Sequence, residues 1–330
     1  MWFRRMWINA VGMAALALAA SGQARAADAV KAGDVSSLTT APLYLAIDKG
    51  YMRDQGIDLT LERFAGAAKM NAAFTSGQLD VGTGAPSAGL FNALSQGFDV
   101  RIVADKGQLR APASPNKLLA RKDLAESGQI KSPKDFKGRK IASLVKGNVQ
   151  DYQIAKLLEH DGIAFKDVEM VYLGSPQTLQ AFASKAIEGA HMIEPWASKA
   201  VGDGLAVVVA DSTSVPEVHR FQNAAILYAG KFMRERRPVA QRFMNAYVMG
   251  IEYITKHGWK DDGVVDAIVK HTGVDKDLVK RATPPYIAPD GRPHVESISR
   301  FQDWVFEQGM VTKKVPMDQV LDLSFLPPAR

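Results

Sequence analysis

Six short segments, residues 36–40, 66–68, 83–87, 146–150, 174–178 and 194–196, carry the side chains with which this chain could do chemistry. Ser37, Thr39, Thr40, Thr83 and Ser87 offer hydroxyls; Asn148, Gln150 and Gln177 offer amides; Gly66, Ala67, Pro86 and Pro176 are small or rigid residues that keep the backbone within reach. Glu194 and Trp196 add a carboxylate and an indole on either side of Pro195. A set rich in neutral donors and poor in fixed charge suits hydrogen bonding to a small polar or aromatic molecule. Taken singly, a hydroxyl before a helix reads equally well as an N-cap, and a glycine as a turn residue. Glu194 and Trp196 fit neither a regular surface nor a core, so Trp196 is expected to stack on a ligand and Glu194 to meet a donor on it. Lys146 is expected in solvent unless the ligand is anionic.

Catalytic patterns are missing. The six histidines, His160, His191, His219, His257, His271 and His294, form no pair at metal-binding helical spacing. His191 lies three residues before Glu194 on a strand pattern, where odd spacing sends side chains to opposite faces. There is neither a G-x-S-x-G nor a phosphate-binding glycine loop. The chain has no cysteine, which removes thiol catalysis, thiolate metal sites and a lipid attached to the mature N-terminus. The expectation is a non-enzyme without cofactor or metal, its histidines packed or on the surface.

In open α/β sheets, polar loops of this kind gather beyond the carboxyl ends of strands, where helix N-termini present free N–H groups. The pattern predicts strands at 30–35, 57–64, 79–82, 100–104, 140–144, 168–173, 190–193, 205–210 and 222–228. Helices are predicted near 42–50, 69–76, 87–97, 151–160 and 178–187, and a mostly helical stretch from Pro238 onward. Within it, Val295, Ile298, Phe301, Trp304 and Val305 fall on one face. One phrase occurs twice, about 107 residues apart: Gln55-Gly56-Ile57 with Ala73-Phe74-Thr75-Ser76-Gly77 and Leu79-Asp80-Val81-Gly82, then Asp161-Gly162-Ile163 with Ala181-Phe182-Ala183-Ser184 and Ile187-Glu188-Gly189-Ala190. Each copy reads as turn, strand, helix, turn and short buried strand. Two such units imply two similar lobes with a cleft between them.

The N-terminus carries Arg4 and Arg5, an apolar run over 8–20 and Ala24-Arg25-Ala26. The apolar run is too short to span a bilayer and ends in a small-x-small site, so residues 1–26 read as a cleaved secretory signal. The arginine pair loosely resembles a twin-arginine signal, but such pairs are commoner in ordinary leaders, and the ordinary route is expected. Removing Arg4, Arg5 and Arg25 lowers the formal charge from +6 to +3, too little and too dispersed for nucleic-acid binding. The remaining roughly 304 residues suffice for two cores.

The run Ala41-Pro42-Leu43-Tyr44-Leu45-Ala46-Ile47-Asp48-Lys49-Gly50-Tyr51-Met52, with Gln55-Gly56-Ile57 and Ser76-Gly77-Gln78-Leu79-Asp80-Val81-Gly82, resembles the nitrate/sulfonate/taurine and thiamine-precursor group of ABC-transporter substrate-binding proteins. Asp135-Phe136-Lys137-Gly138-Arg139-Lys140-Ile141-Ala142 and Glu194-Pro195-Trp196 extend the likeness, which covers about 30–228 well and the C-terminal helices loosely. The resemblance implies a type II periplasmic-binding fold, each lobe a mixed sheet flanked by helices. Lobe one would comprise 27–106 and 211–330, lobe two 107–210, with crossovers near Asp105 and Asp211. It also implies ligand contacts from the six segments above, hinge closure, and delivery to a permease and its ATPase by a monomer in the periplasm. A sulfonate, nitrate, an aromatic acid or a thiamine-type pyrimidine are the solutes it suggests. Glu194 would disfavour a bare anion if it faces the ligand. Two other readings are a sensory ligand-binding protein and a thiamine-pyrimidine-synthase-like enzyme; that enzyme type is intracellular and carries a cysteine-rich motif, which this chain lacks.

Overall fold

The computed structural model describes residues 26–64 and 67–328 and, for Ala67, Ala68 and Asn71, the backbone alone. The expected signal peptide, save its last residue, and Gly66 lie outside the described residues. Strands β1 (Asp28–Asp34), β2 (Ile57–Arg63), β3 (Val81–Gly84), β4 (Val100–Arg110) and β10 (Arg220–Ala229) form one five-stranded sheet in the order β2-β1-β3-β10-β4. Strands β5 (Asn116–Arg121), β6 (Lys140–Ser143), β7 (Glu169–Tyr172), β8 (Gly189–Ile193) and β9 (Ala206–Asp211) form the other, in the order β7-β6-β8-β5-β9.

The two orders are the same arrangement. Each sheet has a parallel trio (β2-β1-β3 and β7-β6-β8), then one strand antiparallel to both its neighbours (β10 and β5), then an edge strand that runs with the trio (β4 and β9). The duplicated phrase explains the trios: its first copy supplies β2, helix Ala67–Thr75 and β3, its second β7, helix Ser175–Ala183 and β8. The antiparallel neighbour of each trio is the strand that has just arrived from the other sheet, β10 in the first and β5 in the second. The central strands β1 and β6 are each followed by a loop and a helix, and these two loops carry residues 35–40 and 144–148.

One expected strand runs far past its expected end, and β5 forms where the pattern predicts no strand. β4 does not stop at Ala104 but continues to Arg110, because β10 pairs with it as far as Arg220↔Arg110. Its polar residues Asp105, Lys106 and Gln108 are buried by that pairing rather than set in a solvated turn. The first link between the sheets therefore runs from Arg110 to Asn116, past the crossover expected near Asp105, and the second runs from Asp211 to Arg220.

The apolar face read over 295–308 forms helix Val295–Glu307, and it touches both sheets' layers. Phe301 lies 6.0 Å from Phe91 in helix Ala88–Ser95, while Trp304 meets Tyr152 and Phe165 of the second layer, both at 5.6 Å between ring centres. Tyr152 also stacks on Phe221 of β10 at 4.9 Å. A continuous hydrophobic cluster thus runs from one lobe into the other along this side. Among the described residues no helix is long and apolar enough to cross a membrane.

Candidate functional site

Loops at the carboxyl ends of β1, β3, β6 and β8 converge on one cavity between the two sheets, closed at its base by β4, β5 and β10. It encloses about 100 Å³, room for a small solute rather than a peptide. Val35, Leu38, Met70, Leu144, Val145 and Ile193 give it an apolar wall. Its polar lining is Ser37, Thr39, Thr83, Ser87, Lys106, Asn116, Asn148, Gln150, Glu194 and Asn223.

Several of these side chains first hold the frame. Ser87 Oγ accepts from the Leu90 amide and caps helix Ala88–Ser95. Asn148 Oδ1 accepts from the Gln150 and Asp151 amides, capping helix Val149–His160, while its amide donates to Gln150 Oε1 at 2.7 Å. At the rim, the Ala88 amide donates to the Gly147 carbonyl at 2.7 Å, and Ser87 bridges Asn148, so loops of the two sheets are in contact there. Gly147 has φ of 70°, and a Cβ added to it would sit 2.8 Å from that of Ala88; the residue type allows both the turn and the approach. Deeper, Asn116 Nδ2 donates to Gln153 Oε1 and Asn223 Oδ1, both at 2.9 Å, tying β5 to helix Val149–His160 and to β10.

The charged centre of the cavity is Lys106, 2% exposed. Its Nζ donates to Thr39 Oγ1 at 2.8 Å. Thr39 Oγ1 lies 2.7 Å from Ser37 Oγ, Ser37 Oγ makes a longer 3.5 Å contact to Thr40 Oγ1, and Thr40 donates to Asp34 Oδ1 at 2.9 Å. An ammonium only donates and a carboxylate only accepts, so Thr39 Oγ1 accepts from Lys106 and Thr40 donates to Asp34, with Ser37 between the two threonines. Asp34, fully buried, also accepts from Thr83 at 3.2 Å and from Tyr44 at 2.5 Å. Burial pulls the Lys106 ammonium down to about 8, against the fields of Asp34 and Asp105 that hold it up. Asp105 is pushed up to about 6 by burial, although four donors from Ala288, Gln222, Gly107 and Gln108 satisfy it.

Ser37, Thr39, Thr83, Ser87, Asn148, Gln150 and Glu194 are brought together in the cavity lining. Thr40 sits behind it, joined to Asp34. Pro86 is buried but outside the lining; Pro176 and Gln177 are exposed at the start of helix Ser175–Ala183; Ala67 opens helix Ala67–Thr75. Trp196 is half-buried and packs against the cluster of Phe182, Ile187 and Met192, away from the cavity, and among the described residues no aromatic ring lines it. Glu194 reaches the lining but spends its carboxylate on Ser198, accepting from its amide at 3.0 Å and its hydroxyl at 2.8 Å; burial pushes its pKa up. Lys146 is exposed. Sequence reasoning missed Lys106, Asn116 and Asn223. The available signal was the resumption of apolar residues at Leu109 after Asp105-Lys106, which marks one strand rather than two.

His191 is buried, its Nε2 2.7 Å from Ser212 Oγ, and desolvation drives its pKa down to about 3, so it serves packing as a neutral ring. No cluster of His, Asp and Glu suited to a metal occurs among the described residues.

Comparison with known proteins gives the same frame. The family model described as NMT1/THI5 like matches residues 38–260. The putative binding protein YtlA of Bacillus subtilis (strain 168) is 23% identical over 320 residues, 93% of this chain and 91% of that one. The alkanesulfonate-binding protein SsuA from Xanthomonas axonopodis pv. citri, solved bound to MOPS, superposes with a TM-score of 0.70 at 18% identity, covering 90% of this chain and 97% of that one. The desulfurization enzyme DSZB superposes with 0.63 at 16% identity, over 90% and 97% of the two chains. At such identities the structural matches establish the two-lobed fold alone.

Proposed function

Because the chain belongs to the NMT1/THI5-like family, we propose that it is the substrate-binding component of an ABC importer, exported by the signal at 1–26 and working in the periplasm as a monomer. It captures one small solute between a lobe of 27–110 with 220–330 and a lobe of 116–211, and hands it to a membrane permease served by an ATPase. The observation that carries this is the cavity lined from both sheets at the carboxyl ends of matching strands. The relatives' described roles, sulfonate binding among them, support it. Ser37, Thr39, Thr83, Ser87, Asn148, Gln150 and Glu194 are the proposed contacts, joined by Lys106, Asn116 and Asn223. A lining without an aromatic ring favours a sulfonate or another compact anion over a pyrimidine or aromatic acid.

The enzyme in the same fold keeps catalysis as the competing reading. This chain has no cysteine. Its lining holds no histidine, and Ser37, Thr39 and Ser87 are engaged in the hydroxyl chain or in capping. Titration of the mature protein with candidate solutes should give one site per chain, and the solute recovered after prolonged incubation should have unchanged mass. A ligand converted by pure protein would overturn the binding-only reading. At about a hundred times its dissociation constant the solute should add roughly 2.7 kcal/mol to stability.

A further inference from the structure

We infer that Lys106 selects the charge of the solute: the cavity takes a monoanionic group on the Lys106 ammonium, with an apolar, non-aromatic body against Met70, Leu144, Val145 and Ile193. This rests on the binding-protein reading above and deepens it. An ammonium has three donors, and Lys106 spends one, on Thr39. No carboxylate pairs with it directly among the described residues; Asp34 reaches it only through the hydroxyls of Thr39, Ser37 and Thr40. A lysine almost removed from water, lining a cavity and short of acceptors, is completed by an acceptor inside that cavity.

The hydroxyl chain has a second consequence. Thr39 turns its oxygen to Lys106 and lies 2.7 Å from Ser37 Oγ, so its hydroxyl is engaged on both sides. Thr39 therefore positions the ammonium and opposes a ligand acceptor placed on itself. The charges around Lys106 are Asp34 at the end of β1, Asp105 on β4 itself and Glu194 after β8, and among the lining residues Lys106 is the one cation. The lining's one positive group can pair with a single negative charge on the solute, and Glu194 in the lining with Asp34 behind it opposes a second. A cationic solute would meet Lys106, and a zwitterion would find in the lining only Glu194 for its ammonium, a carboxylate that already accepts from the Ser198 amide and hydroxyl. The proximal group is thus a sulfonate, a carboxylate or a like monoanion, and a dianionic phosphonate is rejected.

The test compares four probes by calorimetry on the mature protein at pH 7.0: butane-1-sulfonate, pentanoate, butylphosphonate and neutral butyl methyl sulfone. At least one of the two monoanions should bind at least about 100-fold more tightly than the sulfone, and Lys106→Met should abolish that preference while remaining folded by circular dichroism. Thr39→Val, which removes the acceptor but keeps the charge, should weaken the monoanion less than Lys106→Met. Wild-type affinity for the monoanion should decline as pH rises through about 8, where the ammonium loses its proton, and the residual affinity of Lys106→Met should stay flat, a profile that a merely structural lysine would not produce. At pH 9.0 the phosphonate, carrying two charges, should bind at least about tenfold more weakly than butane-1-sulfonate measured at the same pH, where the partial loss of the Lys106 proton is common to both; equal affinity there overturns the rejection of a second charge. Monoanion affinity unchanged in Lys106→Met, equal affinity for sulfone and sulfonate, or no binding of either monoanion overturns the inference. Tight binding of a neutral solute in the same experiment would sink the charge assignment and leave the binding-protein reading standing.

Discussion

Lys106 is charged at the expense of the fold. Its ammonium, drawn down from 10.5 to about 8 by burial, is less stable in the folded chain than in the unfolded one. The sign follows: a depressed lysine costs stability below pH 8, and the cost fades between pH 8 and 10.5, where the folded-state lysine is already neutral and the unfolded one is still losing its proton. Lys106→Met should therefore raise stability at pH 7, by on the order of 3 kcal/mol at most, with the gain shrinking above pH 8. Urea titrations at pH 7 and pH 10 check it, and a variant less stable than wild type at pH 7 would contradict it. Such a trade between stability and binding is common at functional positions. Glu194 is the opposing charge in the lining, and Glu194→Gln retains an acceptor for the Ser198 amide and hydroxyl. It should strengthen monoanion binding several-fold with little change in melting temperature; a tenfold loss by calorimetry would mean that Glu194 takes a ligand donor instead. The hydroxyls at Ser37, Thr39, Thr83 and Ser87 were legible because strand ends and helix starts leave a local signature. Lys106 was not, because Asp105-Lys106-Gly107 reads alone as a solvated turn, and the partner that buries it, β10, lies more than a hundred residues further along the chain.

At the scale of elements, the helix Val295–Glu307 matters most. Its apolar face could be read from spacing alone, but spacing says nothing of what covers that face, and here the cover comes from Phe91 on one side and from Tyr152 and Phe165 on the other. Trp304→Ala should cost about 3–5 kcal/mol, the usual range for deleting a buried large aromatic. Chemical denaturation measures it, and a loss below about 1 kcal/mol would show that the cluster does not hold the layers together. The Trp196 indole illustrates the opposite limit. Its position after a strand end pointed to a ligand, yet the helix it begins, Trp196–Gly202, turns it onto the Phe182 cluster. Strand-end position was visible in the sequence; the rotation of the following helix was not. The duplicated phrase fared better, because each copy encodes a complete strand–helix–strand unit whose periodicity is local, and it maps onto β2–β3 and β7–β8, which flank the preceding strands β1 and β6.

For the whole molecule, two backbone links, the aromatic cluster, the buried bonds of Asn116 and Gln153 to Asn223, and the Ala88–Gly147 contact all help to hold the lobes in this arrangement. The cluster is made of large buried side chains, whereas the rim contact rests on the Ala88–Gly147 hydrogen bond and the Ser87–Asn148 bridge beside a glycine. The rim is thus the natural place for the cleft to part, and a solute that touches loops from both sheets favours the closed form in proportion to its preference for that form. Small-angle scattering on the mature protein, with and without a saturating monoanion, tests this most directly. Capture by closure predicts a smaller radius of gyration in the bound sample. Identical curves, with binding confirmed by calorimetry on the same sample, would contradict it.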